Sequence, residues 1–440
     1  MPISNQTNSE SNATALAAAA QHAEVAPGEI AVGVVIGRAS EYFDFFVYGI
    51  ASAMVFPTVF FPFMEKLDAT LWSFAVFALA FIARPIGTIS FMWIQRRWDR
   101  GTKLTAALFL LGTCTAGIAF LPGYNQAGAI SILLLSLFRI GQGIALGGSW
   151  DGLPSLLALN APKHRHGWYA MLGQLGAPVG FIIAASLFAY LNSNLSRADF
   201  FDWGWRYPFF AAFAINVVAL FARLRLVLTH EYERELDENE LEPASVFELF
   251  SAKGRHVIIG AAAALASYAL FHIVTIFPLS WTLLYSDQSI NEFLSVQIFG
   301  AVLCAGAIVL SGVIADRFGR TRTLAALAAA IAMFSGFAPT LLGSGAVGRD
   351  VFVLVGFVLL CLSYGQAAGS VTANFGSKYR YTGAALTSDL AWLIGAAFAP
   401  LVALGLCAHF GLGFVGVYLL SGAVCTLAAL GMNQYLKLQS

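Results

Sequence analysis

Arg38, Glu41 and Asp44 sit within two helical turns of an otherwise apolar stretch, Gly37–Tyr48, GRASEYFDFFVY. At about 100° per helical residue, Glu41, Asp44 and Tyr48 fall within about 60° of one another, with Arg38 about 60° beyond Glu41. They therefore form one polar stripe. A single charge at the centre of a membrane helix costs about 2.5–3.5 kcal/mol, so the stripe must face water, a partner charge or a bound molecule. Five more ionisable residues lie in or near apolar runs: Arg84, Arg139, Asp151, His272 and Asp389. A guanidinium is a planar fork that holds a carboxylate through two hydrogen bonds. Burial raises a carboxylate's proton affinity and a nearby arginine lowers it, so an anion competing for that arginine can drive a proton on or off. Arg84, Arg139, Tyr48, Arg38 and Gln142 are thus candidates for holding an anion, and Asp44, Glu41 and Asp389 for carrying a proton.

Each candidate also has a plainer reading. Arg84 lies about 13 residues, or roughly 20 Å, before Arg97, so it binds an anion, pairs with Asp44 or Glu41, or does both in turn. Glu41 at i,i+3 from Arg38 can simply neutralise it. Asp389 is a second proton site or the partner of some arginine. His272 shows no relay and reads as a helix-packing residue, and His164 with His166 are too few for a metal. Gly141, Gly143, Gly147, Gly148 and Gly152 suit close helix packing, and Pro178 between Gly176 and Gly180 suits a bend.

The elements that must position these groups follow from composition. The 440 residues are 58% hydrophobic and 11% charged, with mean hydropathy +0.74, far from soluble domains. A membrane helix needs about 20 apolar residues, and twelve such runs occur, near 31–56, 70–94, 103–122, 127–151, 167–191, 205–228, 255–282, 293–314, 322–342, 351–374, 382–407 and 412–435. The expected fold is therefore an all-α membrane protein of twelve spanning helices. Loops after the even-numbered runs hold sixteen Lys and Arg and the odd-numbered loops four, which places both termini in the cytoplasm. Residues 1–29 read as a disordered cytoplasmic tail without a basic signal-peptide start. An acidic linker, 229–254, separates a six-helix half at 30–228 from another at 255–436. Arg97 and Arg100 recur as Arg317 and Arg320, offset by 220, as expected of repeated halves around a midplane site. The five cysteines lie in apolar runs without pairing or metal spacing and read as small fillers. Zero formal net charge gives no sign of a nucleic-acid partner. No nucleophile, metal or cofactor constellation favours an enzyme.

The loop Gly312-Val-Ile-Ala-Asp316-Arg317-Phe-Gly319-Arg320 resembles the signature loop of the major facilitator superfamily. With GRASEYFDFFVYG (Gly37–Gly49), FIARPIG (Phe81–Gly87), LFRIGQGIALGG (Leu137–Gly148), QLGAPVG (Gln174–Gly180), WGWRYPF (Trp203–Phe209) and RYTG (Arg380–Gly383), the chain resembles the metabolite:proton symporter family. That resemblance implies two six-helix pseudo-repeats and proton-coupled uptake of an organic acid or zwitterionic osmolyte. It also implies conformational gating by Asp316, Arg317, Gly319 and Arg320, with Arg97 and Arg100 as first-half counterparts. The chain departs from the family pattern where Arg96 replaces an acid, Ser149 a glutamate and Asp389 an amide; Arg38 is also peculiar to it. The expectation is a monomeric inner-membrane symporter of a small organic anion and protons, embedded in lipid and needing no cofactor. A drug:proton antiporter, which the Pro178 motif also resembles, and a transporter-like sensor without turnover stay open.

Overall fold

The computed structural model describes residues 27–150, 157, 161–162, 164–227, 242–372 and 375–439. Long helices are Pro27–Met54 (α1), Lys66–Arg97 (α2), Arg100–Ala119 (α3), Ala129–Gly148 (α4), His166–Asn194 (α5) and Tyr207–Val227 (α6). A second six follow, Val246–Tyr285 (α7), Ile290–Phe318 (α8), Arg320–Gly343 (α9), Gly345–Thr372 (α10), Lys378–Phe410 (α11) and Gly413–Gln439 (α12). Eleven helices among the described residues are long and apolar enough to cross a membrane. The remaining one, α1, has the length but carries Arg38, Glu41 and Asp44 in its middle. This is a twelve-helix bundle, as the hydropathy runs require. Helix α1 takes in the last three residues of the expected tail, and the first half of the acidic linker, 229–241, lies outside the described residues. The linker's last part is already helical, running from Val246 into α7 through a kink at Lys253.

Local chemistry sets several boundaries. Asp99 caps α3, its Oδ1 accepting from the Thr102 amide at 2.6 Å, a donor the helix itself leaves unsatisfied. Bonds from the Thr102 hydroxyl and amide hold the Asp99 carboxyl below its usual range. Gly319, at φ +87°, turns α8 into α9 within one residue, a conformation that a Cβ would strain.

Close packing depends on small residues. A Cβ on Gly143 would meet the Ala80 carbonyl oxygen at 2.2 Å, and one on Gly147 the Arg84 carbonyl oxygen at 2.2 Å, so α4 lies backbone to backbone on α2. Gly176 and Gly180 bring α5 against the α1 backbone, where a Cβ on either would meet an amide nitrogen, of Ala39 or Phe43, at 2.6 Å. In the bilayer such contact is the main attraction between helices. A 3₁₀ turn, Gly173–Leu175, precedes Pro178 in α5, and a π turn, Trp392–Ala396, interrupts α11. Between the halves, α5 packs on α8, α2 on α11 and α1 on α7.

Two expectations need correction. Cys304 and Cys361 are not isolated fillers: they form a disulfide between α8 and α10, with Cα atoms 5.1 Å apart. Spacing along the chain could not reveal it, because the helices bring together residues 57 apart. Arg223 and Lys103, counted among the sixteen loop charges, are only 5% and 3% exposed. Each has descended from the loop into the helical body.

Candidate functional site

The α1 stripe divides into two environments. Glu41 receives two arginines, Arg38 at 2.9 Å and Arg223 of α6 at 2.8 Å, and Arg223 also donates to the Ser149 carbonyl at 2.8 Å. Asp44, 2% exposed, meets neutral donors instead. Thr115 donates at 2.6 Å, Gln142 at 3.4 Å and Asn216 at 3.5 Å. Arg139, 1% exposed, donates to the Phe77 carbonyl and to Gln142 Oε1, both at 3.1 Å. Its guanidinium lies 3.8 Å over the Tyr48 ring, a cation–π contact in a dry setting. Gln142 therefore links Arg139 to Asp44. Arg139 Nη2 has no hydrogen-bond partner among the described residues.

Arg38, Glu41, Arg84 and Leu146 line two neighbouring cavities. One continues to Trp150 and Arg223, and the other reaches Arg139 beside Phe45 and Trp392. Aromatic rings from both halves wall the second: Phe81 stacks on Trp392 at 5.9 Å, Phe45 on His272 at 5.3 Å, and the Tyr42 and Tyr364 hydroxyls are hydrogen-bonded to each other. His272 is fully buried among these rings, and neither of its ring nitrogens has a hydrogen-bond partner among the described residues, so it packs without the hydrogen bond expected of a buried imidazole.

Arg84 does not pair with Asp44 or Glu41. Its Nε lies 2.8 Å from Asp389 Oδ1, so the arginine that Asp389 lacked in the sequence comes from α2, across the boundary between halves. Thr88, one turn along α2, donates to the other Asp389 oxygen. Arg206 donates to the Ala119 and Leu121 carbonyls at 2.6 and 2.7 Å. The fourth arginine of the site is Arg223.

At the end of the bundle that holds the basic loops, two latches join the halves. Asp316 accepts from the Gly167 and Trp168 amides at 2.6 and 3.1 Å, at the start of α5, where a helix dipole favours an anion. Arg320 donates to the His166 carbonyl at 3.3 Å. On the other side, Lys103 donates to Gln95, Tyr381 and the Trp150 carbonyl, and Tyr381 donates to Gln95 at 2.9 Å. Arg97 and Arg317 are exposed, Arg317 lying over Phe318, while Arg100 reaches Glu242 at 3.9 Å. Asp151 lies outside the described residues.

The Major Facilitator Superfamily model matches residues 126–400. A relative, the inner membrane metabolite transport protein YhjE of Escherichia coli, is 35% identical over 94% of this chain and 95% of its own. The chain belongs to the major facilitator superfamily. A putative metabolite transport protein of Haemophilus influenzae is 32% identical over 92% of this chain and 95% of its own. The shikimate transporter of Escherichia coli is 29% identical over 91% and 92%. Among solved structures, a D-xylose-proton symporter superposes with TM-score 0.69 at 19% identity, over 92% of this chain and 96% of that one, a likeness of fold. The protein is a transporter, not an enzyme.

Sequence reasoning missed four groups of the transporter's site. Arg223 was hidden by its place in the last turns of α6, where a cation reads as topology. Thr115 and Asn216 are lone polar residues in apolar runs, and their mid-run position was an available signal. Trp392 was indistinguishable from a lipid-facing aromatic, since a π turn leaves no mark in hydropathy.

Proposed function

We propose that this transporter carries a small organic anion into the cell together with protons, by alternating access of its two halves. Both termini and the basic end would then face the cytoplasm. The observation that carries this reading is Arg139 Nη2, a buried guanidinium nitrogen without an acceptor among the described residues, at the wall of an arginine-rimmed cavity. A buried donor left unsatisfied costs about 1–3 kcal/mol and more when charged, so the position calls for an acceptor. A substrate carboxylate fits that need. The compounds named in two groups of relatives, shikimate and proline or betaine, each bear a carboxylate.

Gln142 supplies a physical coupling. An anion on Arg139 competes with Gln142 Oε1 for the guanidinium, freeing an amide whose Nε2 now donates to Asp44. Asp44 is then free to hold a proton and donate to that oxygen. Glu41, held by two arginines, stays charged and keeps Arg38 and Arg223 in place.

Uptake of radiolabelled organic acids into proteoliposomes tests the reading, with candidate acids first screened by thermal shift, since a ligand of the native state raises its stability. Arg139→Ala and Arg84→Ala should abolish saturable uptake while the protein still inserts. Normal transport in both would move the site elsewhere, and uptake indifferent to an imposed pH gradient at fixed potential would remove the proton. Outward movement of hydrophobic drugs would favour antiport, and binding without counterflow a sensor.

A further inference from the structure

We propose that the Arg84–Asp389 ion pair is a proton-releasable tie between the two halves, opened when Asp389 is protonated, which frees Arg84 for the substrate carboxylate. The proposal rests on the transport reading above and adds a second coupling carboxylate to it, on the opposite half of the molecule.

The location distinguishes this pair. Every hydrogen-bond partner found for Asp44 lies in the first half, on α3, α4 and α6, and both arginines on Glu41 do too. Neither carboxylate itself is therefore seen to bond across the boundary between the halves. Asp389 is different: Arg84 and Thr88, on α2, hold its two oxygens from across the boundary. It is 3% exposed. Separating the pair while both groups are charged would strand two ions in a low-dielectric interior, which is strongly disfavoured. Arg84 also lines the cavity that reaches Arg139, so an anion bound there approaches a guanidinium already committed to Asp389.

The exchange balances. At the start Arg84 carries one positive charge and Asp389 one negative. A proton from water on the outer side forms an O–H bond on Asp389, the ion pair breaks, and one carboxylate of the substrate takes its place on Arg84. Net charge at the site is zero before and after, with one proton entering for each anionic charge.

The surrounding groups leave Asp389 as the titrating partner. Facing this end of α11 are Arg84 on α2, Arg38, Glu41 and Tyr42 on α1, Tyr268 and His272 on α7 and Tyr364 on α10, the four rings lying 4.8 to 6.4 Å from Trp392 one turn on. Asp389 also lies eight residues, or about 12 Å, from the Tyr381 latch on the same helix. The π turn that begins at Trp392, a feature frequent at functional sites, separates this lower segment of α11 from the rest. Releasing Asp389 thus loosens the segment that carries the latch, and the cytoplasmic side opens.

The test is the distance between spin labels on Thr105→Cys and Thr321→Cys, exposed positions near the basic ends of α3 and α9, with Cys425 replaced by serine. It is measured without substrate from pH 5 to 8. The wild-type background should lengthen at low pH, Asp389→Asn should reduce that pH response at least fivefold, and Asp389→Glu should restore it. A neutral pair, Arg84→Gln with Asp389→Asn, should also be pH-insensitive, which guards against misfolding of either single variant. An unchanged pH response in Asp389→Asn overturns the proposal, as does its loss in Glu41→Gln but not in Asp389→Asn. If the response depends on Asp389 yet no organic acid is transported, the transport reading falls and the tie stands. If acid uptake is proton-driven while Asp389→Asn leaves the response intact, the tie falls and the reading stands.

Discussion

A guanidinium and an ammonium carry the same charge, but Arg139 uses its shape. Nε binds the Phe77 carbonyl, Nη1 binds Gln142, and Nη2 is left over, an arrangement that needs a rigid fork. Arg139→Lys should therefore raise KM for the anion by about 10- to 150-fold, the equivalent of losing a charged hydrogen bond worth about 1.5–3 kcal/mol. Concentration-dependent uptake would show it, and an unchanged KM would remove Arg139 from the binding site. A second residue prediction concerns stability. Asp99→Ala deletes the α3 cap and should cost about 1 kcal/mol. Because Thr102 depresses the Asp99 carboxyl below its ordinary 3.8, the cap's charged contribution is complete above that value and fades as pH falls through the lower folded-state value. Melting of variant and wild type in detergent should differ most at pH 7, with the difference shrinking as pH is lowered below 3.8, and a constant difference would mean the charge plays no part.

Helix number and placement were legible because hydropathy and length act on each segment alone. Pairings between segments were not. Arg84 and Asp389, 305 residues apart by number, read separately as unexplained charges, and only the packing of α2 on α11 makes them one feature. The α2–α4 contact falls between these cases, since the glycines of α4 pointed to close packing without naming the neighbour. There, Gly147→Val puts methyl groups where the Arg84 carbonyl oxygen already lies 2.2 Å from a Cβ position. The helices must separate, at a cost of about 1–3 kcal/mol, and Arg84 moves with its backbone. Gly147→Val should thus lose both thermal stability and uptake, whereas Gly336→Val, where a Cβ meets nothing within 4 Å, should lose neither. Equal behaviour of the two variants would mean that backbone contact does not set the position of Arg84.

For the whole molecule, the two latches at the basic end are related by the internal repeat but built from different chemistry. In the second half Asp316 docks on the first amides of α5. At the matching place in the first half, 220 residues earlier, the chain has Arg96, which cannot accept from the start of α11. Lys103, Gln95 and Tyr381 replace that contact with a network buried between the halves. The two latches close the same side, so weakening either should favour the state open at the basic end, but they should answer differently to substitution. Asp316→Asn keeps an acceptor and loses the charge that the helix dipole rewards, worth about 0.3–1 kcal/mol near a surface, a shift of roughly two- to fivefold in the closed-to-open ratio. Tyr381→Phe removes the hydroxyl that accepts from Lys103 and donates to Gln95 Oε1, so about 1–3 kcal/mol is lost, or roughly five- to 150-fold. Labelling rates of a cysteine introduced into the cleft at the basic end would rank wild type, Asp316→Asn and Tyr381→Phe in increasing order. The double variant should shift the equilibrium by the product of the two effects, since the latches share no atoms. A larger effect from Asp316→Asn would make the signature loop the dominant closure and the Lys103 network secondary.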